Sequence, residues 1–466
     1  MRFPVLTKAL ALIAVLLALM MALASVTGIV RERESRLREA QASVADGLAG
    51  AQTLLGPVLR RACDERWDVM QGEGKERQLV TERRDFVLTS LPATLDIKAK
   101  ADIAPRYRGI FKVNTYTLGS SFSAQWADLS ALRPRAEHAG GRLHCEPPQV
   151  FVAVGDARGI RVATVTANQQ ALAILPGTGH GKHGRGFHAQ LPAEWVDNSA
   201  APLKLSVGLD LVGTGTLAFA PLGEITQLEL RSDWPHPSFG GRFLPSKREV
   251  TAKGFTANWQ LSALATSAPQ ELLTGAGLCA FGDIGPETNK TACVETFGLS
   301  FMDPISVYSL SDRATKYGLL FIALSFVAVG LVEVLRRLRV HPIQYLLVGC
   351  ALSVFFLLLV SLSEHLAFEW AYLVASAACT VLLGFYGSFV LRGWTAGLAF
   401  GAGIAALFGT LYVLLQREQT ALMLGSLLLF GVLVVIMVAT RRIDWYALMT
   451  QMREGGQPKD VTPRTT

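Results

Sequence analysis

Between residues 317 and 440 the sequence is a succession of apolar blocks, 317–335, 343–362, 367–391, 395–416 and 421–440, parted only by short charged hinges. Each block is close to the roughly 20 residues that carry an α-helix across about 30 Å of hydrocarbon. No water reaches backbone groups there, so a spanning segment is a helix or a strand of a closed barrel, and unbroken apolar runs lack the alternation of a barrel strand. The pattern predicts five transmembrane helices in the last third of the chain.

A sixth apolar block, residues 5–30, follows Arg2 and precedes the mixed run RERESRLRE. The small residues around Ser25 and Gly28 suit a cleaved signal peptide, but the run is longer than a usual signal core, and it is read as an uncleaved anchor. Hinge charges orient the set. Arg2, Lys8, Arg336, Arg337, Arg339, Arg392, Arg441 and Arg442 fall on one side, whereas the hinges with Glu364, Glu369, Arg417 and Glu418 carry at most one positive charge. The positive-inside bias then puts both termini in the cytoplasm and residues 31–316 outside it.

Composition fits a chain of two characters. The 50% hydrophobic and 17% charged residues are averages over a very apolar third and an ordinary polar remainder. The formal net charge of +7 is largely topological, and no Lys/Arg stripe with interleaved aromatics supports nucleic-acid binding. The expected partner is the lipid bilayer; oligomeric state is left open.

The outer segment opens as a stalk helix over residues 31–61. Glu32/Arg36 and Glu34/Arg38 are i,i+4 pairs, and Leu37, Val44, Leu48, Ala51 and Leu55 keep one face apolar until Gly56-Pro57. From Phe86 onward the period becomes two. In LKLSVGLDL, Leu203, Leu205, Val207, Leu209 and Leu211 alternate with Lys204, Ser206, Gly208 and Asp210. Similar runs separated by Gly, Pro, Asp and Asn turns predict a large, mainly antiparallel β-domain, as one sandwich or two smaller units. The organisation is therefore an N-terminal helix (1–30), a stalk (31–61), an extracytoplasmic β-domain (62–316), a five-helix bundle (317–442) and a cytoplasmic tail (443–466).

Cys63, Cys145, Cys279 and Cys293 lie in the outer segment, while Cys350 and Cys379 fall inside helices as small packing residues. Four outer cysteines allow three pairings. A bond between Cys279 and Cys293 would close the Gly-rich loop AFGDIGPETNKTA, leaving Cys63 for Cys145.

Other motifs are weak. GHGKHG at residues 179–184 matches GxGxxG, but no helix follows it. Its His180 and His183, with His188, are read as a solvated Gly/His loop in preference to a metal site. No GxSxG, HExxH or Walker sequence occurs, and neither a cofactor nor a catalytic set is expected. Polar residues near the membrane carry more information, because charge in hydrocarbon is expensive. Glu364 and His365 end the third helix, and Glu333, expected to pair with Arg336 or Arg337, lies near the end of the second; these three form the candidate polar cluster. Trp234, His236, Phe239 and Phe243 in WPHPSFGGRF form a candidate interaction loop.

Several long runs carry a resemblance: VGDARGI, PGTG, SDWPHPSFGGRFLPSKREV, GFTANWQ, SDRATKYGLLFIAL, RVHPIQYLLVG, LLLVSLSEH and TRRIDWYA. In this order they resemble the CreD family of inner-membrane proteins of Gram-negative bacteria. HGKHGRG, the segment around Cys279 and Cys293, and the short tail depart from the family pattern. The resemblance implies a role in cell-envelope integrity, control by a sensor kinase and response regulator, and links to β-lactam response and colicin tolerance. It brings no established reaction and no catalytic residue. The expectation is a non-enzymatic envelope protein acting through its periplasmic domain, with periplasmic or inner-membrane proteins as the partners the resemblance implies. Alternatives are a transporter or flippase of an amphiphile, and a membrane enzyme using Glu364 and His365 as acid and base.

Overall fold

The structure, a computed structural model, describes residues 4–71, 78–197, 202–279, 293–301, 303, 307–335, 340–417 and 421–441. These fall into two units, Met1–Arg36 with Ile305–Thr466, and Leu37–Pro304.

The first unit is helical. Helix α1 (Pro4–Gly47) contributes to both units; α2 (Glu194–Asp197) and α3 (Ala268–Leu273) are short pieces of the second; α4 (Val307–Leu335), α5 (Pro342–Ser363), α6 (Phe368–Val390), α7 (Trp394–Gln416) and α8 (Ala421–Thr440) complete the first. Among the described residues, α1 and α4 to α7 are long and apolar enough to cross a membrane, and α8 adds the shorter apolar stretch Met423–Val438. Helix α5 starts sharply: Pro342 takes a first-turn position, the His341 ring accepts from Ile343 N, and the Gln344 side chain accepts from His341 N. Phe355 of α5 meets Tyr372 of α6 edge-on and Phe408 of α7 at a tilt within the bundle core. Along α1, Leu19, Leu23 and Val26 are buried on one stripe. Leu19 lies where a Cβ on Gly349 of α5 would stand, and Leu23 is 3.0 Å from the corresponding point at Gly318 of α4. Small residues thus let α1 dock closely against two helices.

The second unit is a sandwich of two sheets. One runs in the order Ser238–Gly241, Phe297–Ser300, Thr216–Phe219, Gln52–Gln71, Gln149–Ala153, Gly186–Gln190, Ile174–Pro176, with Gln78–Ser90 and Arg142–Cys145 also paired to Gln52–Gln71. The other runs Lys247–Thr251, Gly254–Ser262, Ile225–Ser232, Thr94–Arg108, Phe111–Trp126, Leu203–Thr214, Ile160–Ala167, Gln170–Ala171. Among the described strands, pairing is antiparallel except for Gln52–Gln71 with Thr216–Phe219 and Thr94–Arg108 with Ile225–Ser232. One core holds side chains from both sheets, Phe122, Trp126, Val207, Phe219, Trp259 and Phe297 among them, so the β-domain is a single large sandwich. In Leu203–Thr214 the five alternate apolar residues are all buried while Lys204, Ser206 and Asp210 are exposed, as their period requires.

The stalk ends earlier than its sequence pattern implies. Helix α1 stops at Gly47, and residues 52–61, expected as helix, begin the strand Gln52–Gln71. Residues 52–59 are buried on both faces, between the parallel neighbour Thr216–Phe219 and the antiparallel neighbour Gln149–Ala153. A central strand of this kind shows a continuous apolar run, which periodicity cannot separate from a buried helix. Gly56 and Pro57 fall at a register shift between Leu55 and Val58. Gly56 has φ +116°, and a Cβ there would stand 2.8 Å from Phe151 O, so only glycine fits.

Candidate functional site

The three residues read as one polar cluster occupy two sites. Glu333 near the end of α4 forms an ion pair with Lys8 of α1, accepts from Tyr345 Oη of α5 at 2.8 Å, and accepts from Val340 N at 3.2 Å. Three donors from three parts of the chain thus satisfy one half-buried carboxylate. Tyr345 is fixed in turn by an edge-on contact with Phe326 at 5.3 Å. The expected partners Arg336 and Arg337 lie outside the described residues.

Glu364 caps α5 at its other end, about 30 Å away along the helix at 1.5 Å per residue. Its Oε1 lies 3.2 Å from Arg33 Nε of α1, an ion pair not aligned as a hydrogen bond. The carboxylate is largely covered whereas His365 is exposed, and no hydrogen bond joins the two side chains. The geometry makes Glu364 a partner of α1, not half of an acid–base pair. In the sequence Lys8 reads as a topology charge and Arg33 is one of several charges in the mixed run RERESRLRE, so neither stands out as a site residue. The available signal was two cations bracketing the apolar stripe of a single helix.

Helix α1 has a third fixed point within the β-domain, built from VGDARGI. The Arg158 guanidinium donates to the last carbonyls of α1, Asp46 O at 2.5 Å and Ala45 O at 3.5 Å, as a cation at a helix C-terminus should. Asp156 accepts from Gly50 N at 3.0 Å and holds Arg158 at 2.6 Å. The Arg158 hydrogen bond keeps the Asp156 carboxyl at about 2, below its ordinary value. Gly159 approaches Gln52 and Val212 too closely for any side chain.

The candidate interaction loop has one buried residue, two half-buried ones and one exposed one. The chain leaves the eight-stranded sheet at Ser232, adds the edge strand Ser238–Gly241 to the other sheet, and returns at Lys247. Trp234 is buried and its Nε1 donates to His236 O at 2.8 Å; Phe239 packs edge-on against Phe255 and Trp259; Phe243 O accepts from Trp259 Nε1 at 3.1 Å. These aromatics hold the two sheets together at a corner, with His236, Ser238, Arg242 and Leu244 among the exposed side chains.

Disulfides join Cys63 to Cys145 (S–S 2.04 Å), directly opposite one another on paired strands, and Cys279 to Cys293 (Cα–Cα 5.6 Å). The loop that the second bond closes, residues 280–292, lies outside the described residues, as does the tail from 443. Cys379 is buried as expected, whereas Cys350 is exposed on its helix.

The histidine loop is not solvated throughout. His183 is only 3% exposed, its ring stacks on His180 at 4.7 Å, and neither ring nitrogen has an aligned partner. Burial, with His180 and Lys182 nearby, pushes His183 down to about 4. His188 Nδ1 lies 2.6 Å from Gly177 O. Among the described residues no three His, Cys, Asp or Glu side chains converge as a metal site. A buried carboxylate escaped the sequence reading altogether. Glu65 accepts from Glu137 N and His138 N, both at 2.9 Å, and these bonds hold its pKa below the ordinary value.

The chain matches the family described as inner membrane protein CreD over residues 4–446. Inner membrane protein CreD of Escherichia coli (strain K12) is 34% identical over 449 residues, which span 96% of this chain and 95% of that protein. Among solved structures, an M1 zinc metallopeptidase of Deinococcus radiodurans overlaps 36% of this chain and 38% of its own, with 10% identity and a TM-score of 0.18. The secretin-domain β-barrel of InvG from the Salmonella SPI-1 injectisome overlaps 35% and 60%, with 6% identity and a TM-score of 0.06. Neither overlap amounts to a common fold.

Proposed function

The chain belongs to the CreD family of inner membrane proteins, and from that premise we propose that it supports cell-envelope integrity and the envelope-stress or β-lactam response by coupling, not by catalysis. Both termini lie in the cytoplasm and the β-domain in the periplasm, where it contacts a protein, lipid or wall component. The asymmetry of hinge charges supports this orientation. Lys8, Arg392 and Arg441 belong to the end of the bundle that holds Glu333.

The observation that carries the reading is the way α1 is held. One helix is ion-paired at Lys8–Glu333 and Arg33–Glu364, and its C-terminus is capped by Arg158. Lys8 and Arg33 keep a third or more of their side chains exposed, so each pair contributes about 1 kcal/mol or less. The close packing of Leu19 and Leu23 over glycines supplies more of the adhesion. Weak charge pairs over a packed seam suit a helix whose setting reports the state of the β-domain.

The test is rescue of a null strain's envelope phenotype. Glu364→Gln, Glu364→Ala and Arg33→Gln are expected to insert and accumulate normally yet rescue poorly, while Arg33→Glu combined with Glu364→Arg recovers function. Full rescue by the single variants would reduce the pair to helix punctuation. The runner-up, in which the bundle moves a lipid or other amphiphile, draws on the apolar clefts on either flank of α7.

A further inference from the structure

Helix α7 carries glycines of two kinds. Toward α6, a Cβ on Gly397 would stand 2.5 Å from the Ser388 side chain and one on Gly401 3.2 Å from Gly384 Cα, the close backbone approach for which small residues are used in membranes. Gly403, two residues on and so turned about 200°, meets nothing within 4 Å, and neither does Gly431 of α8. These two do not serve helix contact. They line an open cleft of about 720 Å³ between α4, α7 and α8, walled by apolar side chains such as Leu331, Phe400, Leu428 and Ile436. That volume is within the range of ligand sites. Water has no polar partners on such walls.

At one end of the cleft two arginines follow the lining residues along the chain. The lining reaches Leu391 at the α6–α7 turn and Ile436 on α8, and beyond these lie the exposed Arg392 and Arg441. Arg392 sits at φ +50°, where a chain leaving a helix ordinarily places glycine. An arginine kept in that conformation points to a use for its side chain. Glu333, at the same end, is already neutralised by Lys8.

We propose that the cleft between α4, α7 and α8 binds an anionic phospholipid, an acyl chain lying along Gly403 and Gly431 and the phosphate held by Arg392 and Arg441. The ligand chemistry is an apolar tail joined to an anionic head, matched to an apolar wall that ends in two cations. The inference stands whether the bundle couples or transports.

The experiment uses the full chain in bilayer discs of mixed phosphatidylethanolamine and phosphatidylglycerol, with retained lipids counted by native mass spectrometry. Phosphatidylglycerol is expected to be enriched over its share of the bilayer. Arg392→Gln and Arg441→Gln should each lower that preference roughly fivefold, the effect of one cation near a membrane surface. Gly403→Leu and Gly431→Leu, whose side chains enter open space, should lower the number of retained lipids with the mass of the protein assembly unchanged. Retained lipid of bulk composition, or a preference indifferent to both arginine changes, overturns the proposal. So does a wild-type dimer that the leucine variants split, which would make the cleft an interface between copies.

Discussion

His183 illustrates how a single side chain departs from its sequence context. Glycines on either side and a neighbouring lysine suggest exposure, yet the ring is covered and neutral. Its pKa of about 4 stands below the ordinary 6.5, so between those values the unfolded chain binds a proton that the folded chain refuses. Stability therefore falls as pH drops from about 6.5 to about 4, and below that range the loss is complete. The expected penalty is about 1–2 kcal/mol after allowing for screening at a loop site. His183→Leu should flatten this part of the profile, measured as thermal unfolding of the β-domain in the full chain against pH. An unchanged slope would show that the neighbouring His180 sets the local response without it. Burial of this kind is invisible in the sequence because the His180 ring that stacks on His183 packs in turn on Phe151, which is distant in the chain.

At the scale of elements, α1 is where local pattern and tertiary packing part company. Its apolar block and its Glu/Arg pairs were sufficient to predict a long helix, and Glu32 does hold Arg36 at 2.9 Å. Which face it buries depends on Gly349 and Gly318, which belong to other helices. Gly349→Ala places a methyl against Leu19 and should cost about 1–3 kcal/mol as overpacking. Adding Leu19→Ala should restore most of that loss, a strong non-additivity between touching residues. Limited proteolysis of α1 in detergent, alongside melting temperature, checks both. If the two changes simply add, α1 does not dock at this seam. Where α1 ends is equally non-local. The run from Gln52 to Leu59 is compatible with helix by composition, and the two strands that sandwich it decide otherwise.

For the whole molecule, the orientation proposed from hinge charges predicts that a reporter active only in the cytoplasm is silent when inserted in the β-domain and active at the C-terminus. The opposite pair of signals would invert the topology and, with it, the leaflet in which Arg392 and Arg441 lie. The sequence by itself determined that the chain enters a bilayer, about how many helices it uses, that a large alternating β-domain stands apart from them, and which family it joins. Those properties follow from hydrocarbon thickness, from the two-residue period of a half-buried strand and from long runs of matching residues, all of which are local in the chain. Only the tertiary structure decided that Glu333 and Glu364 face different cations at opposite ends of α5, that Trp234 is buried while Phe239 and Phe243 pack half-buried against the core, and that VGDARGI caps α1. A charge or an aromatic ring acquires its role from whatever packs against it, and here those neighbours are brought in from as far as 325 residues along the chain.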